Sequence, residues 1–339
     1  MNITDNYVEF FALADWGGQF FYPFTTSIQR NIADFINEYS YKNNVHFNLG
    51  IGDNFYQIGV QDVNDTRFKD TFEDVYVYNN TPWYFVLGNH DYYGNPQAQI
   101  DYTEISKRWI LPDYFYNVHV NINQGKTKFI YFLMIDTILL CYRKSIKDEF
   151  GNEYMIKQKD ESIDYFEKLE NDLKNSKDYP YVIIVSHYPI WSVSKHGPTH
   201  CLVEKLRPLL HKYNVNAFFA GHDHDMQHFA DTLKNSTIDY IITGATNTPS
   251  YDMSNIYNVP NDTLKFYWSD KNQTEGAFTL VKADLISMNI SFLKMNGDEI
   301  YKINIKNKAF KPSSKSNFIG SSRLFTLICL FLIFFLEHN

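Results

Sequence analysis

The chain has 339 residues, 44% hydrophobic and 21% charged, enough apolar material for a full buried core and too mixed a composition for global disorder. A formal charge of −8 offers no basic stripe to displace counterions from phosphates, so no nucleic-acid partner is expected. An anionic substrate would need positive charge concentrated locally, most simply by metal ions.

The N-terminus, MNITDNYVEFFALADWGG, has no charged segment followed by an apolar one, so no signal peptide is visible. The first strand, Val8–Ala14, begins almost at once, and Thr26–Tyr39 has the period of an amphipathic helix. Strand-length apolar runs follow at Val45–Gly50, Trp83–Leu87, Phe129–Ile135, Tyr181–Val185 and Ala217–Ala220. Asp160–Leu173 and Leu202–Tyr213 read as further helices. This alternation predicts an α/β layered fold with mostly buried strands. After Thr237 the pattern is strand-rich (IDYIITGA, GAFTLVKAD, MNISFLKM, IYKINI), as a second sheet completing a sandwich would be. The charged stretch CYRKSIKDEFGNEYMIKQKDES reads as an exposed loop.

Beyond residue 305, a polar spacer (306–323) leads to the tail 324–339, in which Leu324–Leu336 is thirteen uncharged residues. That is short of the ~20 residues of a spanning helix. Small residues, a polar spacer and a short apolar tail resemble a lipid-anchor signal; a tail anchor and an inert helix are the alternatives. Membrane association through this tail is expected. Sequons at Asn2, Asn64, Asn79, Asn235, Asn261, Asn272 and Asn289 fit a glycoprotein of the secretory pathway. The cysteines are Cys141, Cys201 and Cys329, without a CxxC, which argues against a thiolate zinc site. Cys141 and Cys201 are open to two readings, a disulfide of an oxidising compartment or two buried free thiols.

Five of the apolar runs end in groups that bind metal. Val8–Ala14 ends in Asp15, and NLGIGD in Asp53 with Tyr56 just beyond. WYFVLGNHD ends in Asn89, His90 and Asp91, VIIVSHYP in His187, and AFFAGHDHD in His222 and His224. In open α/β sheets the carboxyl ends of the strands line the ligand crevice, so topology would gather these groups in one place. Counting donors gives two metals: Asp15, Tyr56, His224, Asn89, His187 and His222 supply three terminal ligands to each, and Asp53 bridges. Hard oxygen ligands, a phenolate above all, favour a trivalent ion; imidazole and amide suit Fe(II), Zn(II) or Mn(II). Two ions ~3.5–4 Å apart form a clamp for in-line displacement at phosphorus.

DWGG, GDNFY, GNHD, SHYPIWS and GHDHD, in this order, resemble the purple acid phosphatases of the metallophosphoesterase superfamily, in their small mammalian-type form. The similarity continues through GVQDVNDTRFKDTFEDV, SKRWILPDYFYNV and KHGPTHCLVEKLRPLL, and makes residues 1–305 the catalytic domain. The resemblance implies a calcineurin-like sandwich of two mixed β-sheets flanked by helices, with a dinuclear metal site at the strand C-terminal ends. It implies Fe(III) on Asp15, Tyr56 and His224, and a second divalent metal, Fe(II), Zn or Mn, on Asn89, His187 and His222. Asp53 would bridge, His90 and His196 would contact the phosphate and the leaving group, and Cys141 and Cys201 would form the family's disulfide. The implied activity is hydrolysis of phosphomonoesters by a metal-bound hydroxide at acid pH, by a monomer of the secretory pathway, lysosomal or at the cell surface.

Departures from the family pattern are few. Ala14 stands where a glycine is usual, and the loop after Cys141, which occupies the place of a repressive, protease-cleavable loop, diverges in sequence. A phosphodiesterase or protein phosphatase on the same fold would more often lack the phenolate of Tyr56. A catalytically silent membrane scaffold would have lost ligands, and none is missing here. Redox chemistry by the iron pair could coexist with hydrolysis.

Overall fold

The computed structural model describes residues 1–78, 80–142, 144–156 and 164–307. Its first strands are β1 (Tyr7–Leu13), β2 (Phe47–Ile51), β3 (Trp83–Val86), β4 (Trp109–Ile110), β5 (Tyr116–Ile122) and β6 (Thr127–Met134). Then come β7 (Ser145–Lys147), β8 (Glu153–Met155), β9 (Tyr181–Val185), β10 (Ala217–Ala220), β11 (Met226–Leu233) and β12 (Ser236–Thr243). The last are β13 (Leu264–Trp268), β14 (Ala277–Asp284), β15 (Ser287–Lys294) and β16 (Glu299–Lys306). The α-helices are α1 (Ser27–Lys42), α2 (Asn89–Tyr92), α3 (Pro96–Asp101), α4 (Thr137–Cys141), α5 (Tyr165–Asn175) and α6 (Arg207–Lys212).

Two seven-stranded sheets result, in the orders β16-β15-β14-β1-β2-β3-β4 and β13-β11-β12-β10-β9-β6-β5. Both are mixed. β1 to β4 run parallel in the first, as β6, β9, β10 and β12 do in the second, with antiparallel partners outside them. Alternation along β1 explains why the sequence there is apolar except at Glu9, a buried carboxylate that accepts from the Tyr39 hydroxyl and pairs with Lys282. Phe11 and Leu13 share a core with Ile28, Ile32 and Ile36 of α1, while Val8, Phe10 and Ala12 join the core between the sheets. In that inner core Phe132 of the second sheet meets Phe10 and Phe47 of the first edge-on, each ring 5.7 Å away. A strand covered on both faces gains roughly 1.5–3 kcal/mol for each large apolar side chain, up or down, so a polar residue such as Glu9 is kept only with partners. On α1, Thr26 caps the first turn by accepting from the Gln29 amide, and its apolar side chains recur at helical spacing.

The expected strands and helices are present with ends shifted by a few residues, but two expectations fail. The strands after Thr237 do not make a second sheet of their own. β14 pairs antiparallel with β1 (Val8 opposite Ala283), so β14 to β16 extend the first sheet, whereas β12 lies parallel to β10 in the other. Nor is the stretch after Cys141 all exposed loop. β7 and β8 form a hairpin with Ile146 and Ile156 buried. β5 escapes an apolar-run criterion because it is half-buried, alternating buried and open side chains at the sheet edge.

β16, the last strand of the described residues, ends at Lys306. The sequon at Asn79, Cys329, the spacer from residue 308 and the tail 324–339 lie outside the described residues. Among the described residues no helix is long and apolar enough to cross a membrane.

Candidate metal centre

The centre is assembled where β1, β2, β3, β9 and β10 end. Three of its residues stand in left-handed backbone that bulky residues avoid: Asp15 at φ 56°, Asp53 at 50° and His222 at 73°. Each turns sharply off its strand, and such conformations persist only where the surroundings impose them. The surroundings are tight: a Cβ on Gly88 would lie 2.2 Å from Asp53 Oδ1, and one on Gly221 2.4 Å from Asp15 Oδ2. The loops therefore need glycine at both places, to let backbone pass beside a carboxylate.

Below the loops, Trp16 sits in an aromatic cluster with Phe55, Phe72, Trp83, Phe85 and Trp109, at ring separations of 5.7–6.4 Å. Its indole donates to Asn54 Oδ1 at 3.1 Å. Asp91 ties the second and third loops together, accepting from the amides of Asn54 and Gly88 and from Gln99 Nε2. Rigid apolar packing beneath and a saturated carboxylate between the loops fix where the donors point.

The donors converge. Oxygen and nitrogen atoms of Asp15, Asp53 and His187, all buried, lie within 4.8 Å of one another. The Tyr56 hydroxyl is 3.1 Å from Asp15 Oδ1, 3.1 Å from Asp53 Oδ2 and 3.0 Å from His224 Nε2. His187 Nε2 stands 3.4 Å from Asp53 Oδ2, and the His222 ring 5.2 Å from the His187 ring. Asn89, buried in the first turn of α2, precedes His90, whose backbone amide donates to Asp53 Oδ1 at 2.9 Å. His196 is exposed and stacks over His222 at 3.9 Å.

Three imidazoles have their tautomer fixed by a backbone carbonyl. His187 Nδ1 donates to Ile51 O, His224 Nδ1 to Thr248 O, and His90 Nδ1 to Gln57 O. In each ring Nε2 is the nitrogen left to face the site, where a neutral imidazole takes a metal or accepts a proton.

Electrostatics at the centre call for cations. Burial drives the Asp15 carboxyl well above its ordinary range, and the neighbouring Asp53 adds to this. Burial also opposes ionisation of Asp53, yet His187 and His90 outweigh it and hold that carboxyl well below the usual range. His187 is the counterpart: burial disfavours its charged form, but Asp53 and Asp15 lift it to about 10. Tyr56 is pushed well above the ordinary phenol, by burial first and then by both aspartates. At the centre, Asn89 Oδ1 and His187 Nε2 are buried without a hydrogen bond. Buried acceptors are seldom left so unless another ligand takes them. Clustered carboxylates, imidazole lone pairs and an orphaned amide oxygen fit two metal ions.

A sandwich of two mixed sheets with metal donors at the strand ends defines a metallophosphoesterase, and residues 9–226 match the calcineurin-like phosphoesterase family. The chain belongs to that family, within its purple acid phosphatases. It is 36% identical over 307 residues to tartrate-resistant acid phosphatase type 5 of Homo sapiens, covering 89% of this chain and 92% of that protein. To purple acid phosphatase 17 of Arabidopsis thaliana it is 28% identical, over 84% of this chain and 81% of the relative. Among solved structures it shares its fold with GAP50, the anchor in the inner membrane complex of Plasmodium (TM-score 0.72, 23% identity, 91% of each chain). It is thus a metal-dependent acid phosphatase with a dinuclear, iron-containing centre.

The expected disulfide is formed between Cys141 and Cys201. The sequence analysis counted Asp91 only as a strand-end group able to bind metal, with no ligand place, and gave Asp223 no role. Both lie inside quoted motifs, GNHD and GHDHD, and both face backbone amides (those of Gly88, Asn54 and, for Asp223, His196). The signal was their place beside candidate ligands, Asp223 between His222 and His224 and Asp91 two residues after Asn89; their direction was not readable.

Proposed function

We propose that this chain hydrolyses phosphomonoesters at an Fe(III)–M(II) pair, M being iron, zinc or manganese. Asp15, Tyr56 and His224 would hold Fe(III), Asn89, His187 and His222 would hold the divalent ion, and Asp53 would serve both. What supports the reading most is the position of the Tyr56 hydroxyl, about equally far from Asp15, Asp53 and His224. A phenol there has no structural need of two carboxylates and is a natural ligand for a hard trivalent ion. When bound, the metals supply positive charge for the phosphate and acidify a water.

The chain's own groups do the rest. His90 is braced by Gln57 O on Nδ1, so its Nε2 faces the cleft near Asp53 Oδ2, 4.0 Å away. His196 is carried by a loop whose amide is held by Asp223. We assign these two imidazoles to the phosphate and the leaving group, one of them giving its proton to the departing alkoxide. Buried Asp15 and Asp53 balance the charge of the ions while the acidic surface keeps the attraction local.

Tyr56→Phe tests the assignment. Iron-loaded wild-type protein should be purple or pink with phosphomonoester turnover at acid pH, and the variant should lose the visible band while keeping its fold. An unchanged spectrum would mean that Tyr56 is no ligand.

The same reading puts the protein in the secretory pathway, lysosomal or at the cell surface, as a monomer; the Cys141–Cys201 disulfide supports an oxidising compartment. It also attaches the chain to a membrane through residues 324–339. Ending the chain before Leu324 should move it from the membrane pellet to the soluble fraction. Full-length protein that is already soluble would remove the anchor.

A further inference from the structure

Asn89 and Tyr93 are one helical turn apart, so their side chains rise from the same face of α2. The Asn89 amide nitrogen donates to the Tyr93 hydroxyl at 3.1 Å, and its Oδ1 is buried with no hydrogen-bond partner. The Tyr93 hydroxyl in turn donates to the carbonyl of Lys147, on β7, at 3.4 Å. A phenol has one proton to give. With that proton directed to a carbonyl, the hydroxyl can only accept from Asn89, and an acceptor there selects the NH2 end of the amide. The carbonyl end is thereby turned away from Tyr93. Without this lock the amide has two orientations of similar shape, and one of them presents N–H groups to a cation.

The ring of Tyr93 is held as firmly as its hydroxyl. It packs edge-on against His90 at 5.0 Å and, tilted by 37°, against Tyr154 of β8 at 4.6 Å. Tyr92, next in sequence, points elsewhere and donates to Asp136 at 2.8 Å.

We propose that Tyr93 is a positioning residue whose hydroxyl fixes the Asn89 amide with Oδ1 toward the divalent ion. This rests on Asn89 being a ligand of that ion, as read above. Tyr93 touches neither metal nor substrate; it acts through Asn89, and the β7–β8 hairpin acts through it by holding its proton.

The test uses full-length protein stripped of metal, loaded with one Fe(III), and titrated with Zn(II) against a competing chromophoric chelator. Tyr93→Phe keeps the ring on His90 and Tyr154 and removes the lock. Its affinity for Zn(II) should fall roughly 10–100-fold, the usual effect of losing a partner that orients a ligand. The visible iron band and the melting temperature of the apo-protein should not move. Asn89→Ala, measured alongside, should weaken Zn(II) at least as much. Unchanged Zn(II) affinity in Tyr93→Phe with a clear loss in Asn89→Ala overturns the role of Tyr93 and spares the ligand assignment. No loss in Asn89→Ala overturns the assignment and the proposal with it. A lower melting temperature or altered iron band in Tyr93→Phe marks a general packing role and likewise overturns it.

Discussion

Asp53→Asn is expected to lower turnover of a phosphomonoester by about a thousandfold or more and to leave at least one metal site empty. Asparagine is the right replacement. Its shape is almost that of aspartate, it tolerates the left-handed backbone at residue 53, and its amide oxygen can still accept from the His90 amide. What it loses is the charge that lies beside Tyr56, His187 and His90 together. Metal ions stabilise transition-state charge by several kcal/mol, and about 4 kcal/mol is a thousandfold in rate. Turnover measured beside metal content decides the matter. A variant that retains both its metals and its rate would show that Asp53 does not lie between them.

Removing the disulfide should produce the largest change in stability. Cys141 and Cys201 are 60 residues apart, and closing a loop of that length stabilises the fold by about 4 kcal/mol on the chain-entropy account. For a domain of this size the double variant Cys141→Ser/Cys201→Ser should melt roughly 5–10 °C lower. Activity should suffer as well. Cys201 ties the segment that begins just after the His196 loop to the end of α4, so reduction frees one anchor of an imidazole at the rim. Calorimetry of the oxidised protein, the reduced protein and the variant would check both effects. A melting temperature that ignores reductant would show the bridge to be dispensable.

The candidate metal donors were legible because each is local: a strand-length apolar run, a small residue (Ala14, Gly52, Gly88, Ser186 or Gly221), then a carboxylate, amide or imidazole. Turn chemistry and strand hydrophobicity act within a few residues of Asp15, Asp53, Asn89, His187 and His222, so the pattern survives in one dimension. Recognising those five patterns in order also brought in the fold, the activity and the partner for Cys141.

Other features depended on partners far away in the chain. Pairing of β14 with β1 joins residues more than 260 positions apart, and nothing in GAFTLVKAD says which strand it will meet. An edge strand such as β5 is half-buried only because of where it sits, and the hairpin at β7–β8 is ordered by contacts with Tyr93 that its own charged sequence does not announce.

By itself, then, the sequence determined the kind and order of most elements and the choice of candidate donor residues, since these follow from local periodicity and from side-chain chemistry. The tertiary structure alone decided the sheet order, the orientation of Asn89 through Tyr93, and the joining of two loops by Asp91. The reason is that register and amide orientation are settled by long-range hydrogen bonds and packing, whose energies exist only once distant segments have met.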